Sequence, residues 1–130
     1  MDCPECGHDT VLFAVEPALR EYLPGEEPGA SLCPHCLAVR PVTEPPETAP
    51  DFSPLGDAFP GEGPAAVPMA LLLGLLSSLA LYREEIAALL ERVERAGTDP
   101  LLVLDRLAAD PSIESQVDLG RRRHQLEQLL

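Results

Sequence analysis

The chain has 130 residues, with 22 Asp and Glu against 9 basic residues, and its formal net charge is −13. A molecule this acidic does not attract phosphate through its overall field, because nucleic-acid affinity begins with cations that neutralise the backbone. All nine basic residues are arginine. Acidic bias without lysine points to a protein kept hydrated in molar salt, where a Debye length of about 3 Å screens its self-repulsion. The alternative is an ordinary acidic protein from a GC-rich genome, which also favours Arg and Ala.

In chain order, the first feature is a pair of Cys-x-x-Cys turns, Cys3-Pro4-Glu5-Cys6 and Cys33-Pro34-His35-Cys36, which hold every cysteine of the chain. Each such turn offers two thiolates to one ion, and the 26 residues between Cys6 and Cys33 leave room for a hairpin that brings the turns together. Cys3, Cys6, Cys33 and Cys36 are therefore the candidate ligands of a structural Zn²⁺. Four cysteines leave no coordination position for water or substrate, unlike a catalytic site.

Two other chemistries use cysteines at this spacing. Paired disulfides require an oxidising compartment, but the opening residues show no basic and apolar leader, so the expected location is cytoplasmic. Redox catalysis by Cys33-Pro34-His35-Cys36 requires a helix directly after the motif, whereas 37–42 reads as a short strand stopped by proline. His8 and His35 stand beside the turns and are read as a turn residue and a solvent-facing residue. Gly7 supplies positive φ after the first turn, and Leu37 holds the equivalent place in the second less comfortably.

The predicted fold class is α+β. A small N-terminal β zinc ribbon (1–42) leads through a Pro-rich strap (43–68) to a small C-terminal α-helical bundle (69–130). Strand candidates in the ribbon are 10–15 and 18–23, with a turn at 24–29 and a return through Ser31-Leu32. Its few apolar residues could not fold without metal. Ribbon and strap together carry most of the charge: up to Ala66 there are twelve acidic residues against Arg20 and Arg40.

Prolines at 45, 46, 50, 54, 60, 64 and 68 keep the strap extended. Phe52, Leu55 and Phe59 interrupt it, either to tack it onto a neighbouring surface or to form a docking motif. The helical part opens with a charge-free stretch whose dense apolar run, 69–82, is nearer a buried helix than the roughly 20 residues a bilayer needs. Ala70, Gly74 and Ser78 align on one face, where another helix could approach closely.

Ile86, Leu89, Leu90 and Val93 follow helical spacing, with Glu91 and Arg95 set for an i,i+4 pair. Gly97 ends that helix. Asp99-Pro100 opens the next, with Leu101, Leu104 and Leu107 or Ala108 inward. Asp110-Pro111 reads as the same device opening a last helix through Val117, Leu119, Leu126, Leu129 and Leu130. Arg121, Arg122 and Arg123 fan around that helix and are expected to pair with the protein's own carboxylates, with an acidic partner second and nucleic acid third. His124 is placed on the solvated face.

The two Cys-Pro-x-Cys motifs, the lysine-free acidic composition, the run 96–107 and Arg121-Arg122-Arg123-His124-Gln125-Leu126-Glu127 resemble the small haloarchaeal CPxCG-type zinc-finger-like proteins, a family of unknown function. The resemblance implies a cytoplasmic, zinc-binding, non-enzymatic protein with Cys3, Cys6, Cys33 and Cys36 as ligands, and it implies no activity. The function read from the chain is a protein–protein interaction or regulatory adaptor with a protein partner. A homo-oligomer through the 69–82 helix is compatible with it. The alternatives are a nucleic-acid-, ribosome- or transcription-associated ribbon, and a ribbon anchored in a membrane through 69–82. No catalytic residues are assigned, and an enzyme is not expected.

Overall fold

The computed structural model describes residues 2–61 and 63–129. The fold is α+β. Three short strands, β1 (Val11–Ala14), β2 (Gly29–Leu32) and β3 (Val39–Val42), form an antiparallel sheet in the order β1-β2-β3, with Val11 opposite Leu32 and Leu32 opposite Val39. The alternation of β1 buries Val11 and Phe13, and central β2 is buried along its whole length. β3 is an edge strand, which is why Pro41 sits inside it instead of stopping it: only a strand with an unpaired side tolerates a missing N–H.

The expected strand at 18–23 is a 3₁₀ helix, Pro17–Tyr22. Its Pro17 fixes φ for a helical first turn, and one turn suffices to bury Leu19 while Arg20 Nε donates to the Val15 carbonyl at 3.0 Å. The strap forms a second short 3₁₀ turn, Ser53–Leu55, and its Phe52, Leu55 and Phe59 do more than tack onto a surface: all three lie inside the core.

Four α-helices follow: α1 (Ala66–Leu75), α2 (Arg83–Arg95), α3 (Pro100–Ala109) and α4 (Leu119–Leu126). The apolar run 69–82 is not one helix. α1 ends at Leu75, a 3₁₀ turn covers Leu76–Ser78, and among the described residues no helix is long and apolar enough to cross a membrane. α1 is buried on nearly every side because it lies between α2 on one flank and β3 with the first 3₁₀ helix on the other.

The small residue at 74 serves the sheet and not a neighbouring helix, because a Cβ on Gly74 would stand 2.8 Å from Val39 Cβ on β3. Gly74→Ala should therefore cost about 1–3 kcal/mol through displacement of β3, read as a lowered midpoint in denaturant. A midpoint equal to wild type would show that the strand yields freely.

α2 is as its spacing predicts: Ile86, Leu89, Leu90 and Val93 are fully buried, and Arg95 pairs with Glu91 on the outer face. Gly97 ends the helix with φ +93°. Asp99 caps α3 by accepting from Leu101 N at 3.0 Å and Leu102 N at 3.2 Å, and Pro100 fills the first helical position. Leu104 and Leu107 turn inward as expected, joined by Val103; Ala108 is exposed.

Asp110-Pro111 does not start a helix. Asp110 turns its carboxylate to Ser112 N (2.9 Å) and Ser112 Oγ (2.7 Å), so the motif closes α3 in an Asx turn. The chain then runs irregularly to Asp118, which caps α4 through Arg121 N at 3.1 Å. The α3–α4 connection is thus a loop of several residues and not a tight turn. Leu119 and Leu126 are buried; Leu130 lies outside the described residues.

Apolar side chains from the sheet (Phe13, Leu32), the strap and all four helices form one continuous cluster. The residues around the cysteines therefore have more than their own few apolar neighbours to fold against. The cysteines themselves form a separate small cluster with Ala38 at its margin.

Candidate metal centre

Each Cys-x-x-Cys turn is a tight backbone loop closed by its own hydrogen bonds. In the first, Gly7 N donates to Cys3 O (2.8 Å) and Cys3 N to His8 O (2.7 Å); in the second, Leu37 N donates to Cys33 O (2.9 Å) and Cys33 N to Ala38 O (3.0 Å). The two share one bonding pattern, and both place a left-handed residue at the fifth position. Gly7 adopts φ +78° without strain, and Leu37 adopts +62°.

That conformation costs a leucine roughly 1–2 kcal/mol. Burial of its side chain in the main core is worth about 1.5–3 kcal/mol and offsets the cost, which is why a large apolar residue stands where a glycine would relax the turn.

The turns face each other. The four Sγ atoms of Cys3, Cys6, Cys33 and Cys36 lie within 4.8 Å of one another, Cys3 and Cys36 at 3.7 Å and Cys6 and Cys33 at 3.4 Å, and none is paired in a disulfide. A tetrahedral ion about 2.3 Å from each sulfur sets them about 3.8 Å apart, so the cluster has the size of such a site.

Cys3, Cys33 and Cys36 are buried and Cys6 partly so. The Glu5 backbone N–H draws the Cys3 thiol down from 9.0 to about 7, whereas burial pushes Cys36 up to about 12. Four thiolates this close repel one another, and a bound cation supplies the compensating charge as it displaces their protons.

A second ring of contacts surrounds the sulfurs. His8 Nδ1 lies 3.4 Å from Cys6 Sγ, and its ring stacks on that of His35 with centroids 3.9 Å apart and planes 15° from parallel. His8 is the exposed turn residue expected. His35 is not solvent-facing: its Nδ1 donates to the Ser112 carbonyl at 3.0 Å, its own carbonyl accepts from Glu114 N at 2.7 Å, and its Nε2 lies 3.4 Å from Glu114 Oε2.

The other turn is tied to the same loop. Glu5 pairs with Arg40 Nη2 on β3 at 2.9 Å and accepts from Gln116 Nε2. The α3–α4 loop thus clasps both cysteine turns. A cleft of about 170 Å³ lies between this loop, β3 and α1, with Glu5, Arg40, Gly74 and Gln116 in its wall. Sequence reasoning missed the clasp because nothing periodic marks it; the one available signal was the Asx-turn pattern Asp110-Pro111-Ser112.

A model of a protein family of unknown function, DUF6276, matches residues 2–130. The chain belongs to that family. The match covers all of the fold described, cysteine turns and α4 alike. No curated protein and no solved structure gives a significant match.

Proposed function

We propose that the chain is a zinc-binding interaction module of a high-salt cytoplasm, in which a structural four-cysteine site shapes a protein-docking surface and no chemistry is catalysed. The observation that carries the metal is the convergence of four sulfurs, three of them buried, at tetrahedral spacing. Zinc is favoured over harder ions because four thiolates are soft donors in a closed site, and a filled tetrahedron leaves no position for substrate.

The distribution of arginines supports a protein partner over nucleic acid. Arg40 is committed to Glu5, and Arg123 lies against Asp105 (Nε to Oδ1 2.9 Å, off-line for a hydrogen bond) and Glu127. Of Arg40, Arg121, Arg122 and Arg123, the cations that a phosphate-binding face would need, two are therefore already neutralised.

Elemental analysis of the purified chain tests the metal. We expect about one zinc per chain, lost in each of Cys3→Ser, Cys6→Ser, Cys33→Ser and Cys36→Ser. A folded wild type free of zinc would overturn the reading, and iron in its place would correct the metal.

A further inference from the structure

We propose that a cleft between the 79–83 turn and α4 docks an acidic peptide segment that carries an apolar side chain; this deepens the interaction reading above by naming a surface and the partner's chemistry. The cleft has a volume of about 350 Å³. Its apolar lining comes from Leu79, Ala80 and Leu129, and its polar wall includes Arg83, Arg122 and His124. Among the described residues no Asp or Glu lines it, although acidic residues outnumber basic ones 22 to 9 in the chain.

Both arginines line the cleft, and among the described residues neither has a carboxylate partner. Arg122 Nη1 donates to Gln125 Oε1 at 2.8 Å, a neutral partner that fixes the side chain and leaves its charge uncompensated. Arg83 is the first residue of α2, the end where a cation is least favourable beside the helix dipole, and the N-cap Tyr82 offers no side-chain hydrogen bond. Neither arginine makes an ion pair among the described residues. Glu84 and Glu85 follow Arg83 in sequence but lie outside the cleft wall, and Glu127 is engaged by Arg123.

Beside this basic concavity stands Leu81, 73% exposed, the most exposed large hydrophobic among the described residues. An isolated exposed leucine needs no explanation, but one in the same turn as Leu79, Ala80 and Arg83 of a half-apolar cleft, whose two arginines make no ion pair among the described residues, offers both parts of a recognition site. The apolar part seats a side chain, and each guanidinium can grip a carboxylate in a two-pronged, charge-assisted hydrogen bond.

Charge complementarity at short range selects an acidic ligand, and the apolar wall selects a peptide over a polyphosphate, whose binding rests on many cations and collapses with salt. In molar salt the repulsion from the rest of the acidic surface is screened, while contacts inside the cleft persist.

The test is fluorescence anisotropy of the zinc-loaded full chain in molar KCl. The probe is a labelled peptide with a Leu-Phe pair flanked by glutamates, compared with the same peptide flanked by lysines. We expect saturable binding of the glutamate peptide only, weakened about tenfold or more in the Arg83→Glu/Arg122→Glu variant and in Leu81→Asp, with zinc content and thermal midpoint as in wild type.

Four results would overturn the proposal: no binding, equal binding of the lysine peptide, unchanged affinity in both variants, or tighter binding of a single-stranded oligonucleotide. Self-association that buries Leu81, seen by sedimentation, would replace the peptide with a second copy of the chain. Zinc measured on the same samples separates the two readings: peptide binding by a zinc-free, folded chain leaves the cleft standing and removes the metal, and zinc without peptide binding does the reverse.

Discussion

Removal of the ion proposed for the four cysteines should release a loop that lies more than seventy residues along the chain from the second cysteine turn, while leaving most of the helices in place. Structural zinc in small finger peptides is worth about 10–16 kcal/mol of folding free energy, comparable with the roughly 5–15 kcal/mol that holds a whole domain. In a free-standing ribbon, chelation would therefore unfold everything. Here the cysteines form a cluster distinct from the main core, and that core draws on the sheet, strap and all four helices. The expected outcome is sub-global: the two turns open and the rest persists.

What opens with them is the α3–α4 loop. It is held by Glu114 N on the His35 carbonyl, His35 Nδ1 on the Ser112 carbonyl, and Gln116 on Glu5, and these acceptors and donors are positioned by the turns themselves. At about 0.5–1.5 kcal/mol per hydrogen bond, losing the set corresponds to exchange of the Glu114 amide on the order of a hundredfold faster. Amide hydrogen exchange with and without chelator reads it directly, with α2 amides as the internal control. Unchanged protection at Glu114 would show that the loop stands without the metal, and loss of protection throughout α2 would show that the centre supports the entire fold.

The parts of this structure that are legible in the sequence are those written in local chemistry. The two Cys-x-x-Cys turns converge as their spacing predicts for a candidate metal site, and Ile86, Leu89, Leu90 and Val93 share a face because helical geometry puts them there. Asp99-Pro100 caps a helix as its residue types dictate. Misreadings arise where one local signal serves two structures. Pro17 to Tyr22 has enough apolar residues for a strand, but Pro17 and the need to bury only Leu19 make a 3₁₀ turn sufficient.

Asp110-Pro111 has the same letters as Asp99-Pro100, yet Ser112 captures the Asp110 carboxylate that would otherwise cap a helix. Gly74 is legible as a close-approach position but not by what, because the neighbour, Val39, lies 35 positions earlier and no local pattern links them. The loop clasping the cysteines is invisible for the same reason: its partners are set by the tertiary fold, and two of its bonds to the second turn end on backbone carbonyls, of Ser112 and His35, that carry no residue identity.

Phe52→Ala should be among the most damaging single changes in the chain despite lying in a segment that reads as a linker. The proline-rich composition of 43–68 suggests a tether, and a tether tolerates truncation of any side chain at a cost within about 0.5 kcal/mol. Phe52 is instead completely buried, with its ring 5.3 Å from that of Phe13 on β1 and 5.1 Å from that of Phe59, both tilted.

Aromatic rings in contact carry about 0.5–1.5 kcal/mol per pair beyond their burial, and emptying a fully buried phenylalanine site costs about 3–5 kcal/mol through lost transfer and the cavity left behind. Set against a total of about 5–15 kcal/mol, that is enough to leave a marginal protein partly unfolded. The strap cannot slide to fill the gap, since Pro45 closes over Gly29 of β2 and Leu55 is buried three residues on.

Chemical denaturation of the metal-loaded protein distinguishes the two views of the segment. A drop in midpoint equivalent to about 3–5 kcal/mol, with the slope unchanged, would make 43–68 a part of the core that happens to be rich in proline. A change within about 0.5 kcal/mol would return it to the status of a tether and would imply that sheet and helices are held together without it, through α1 against β3 and the first 3₁₀ helix.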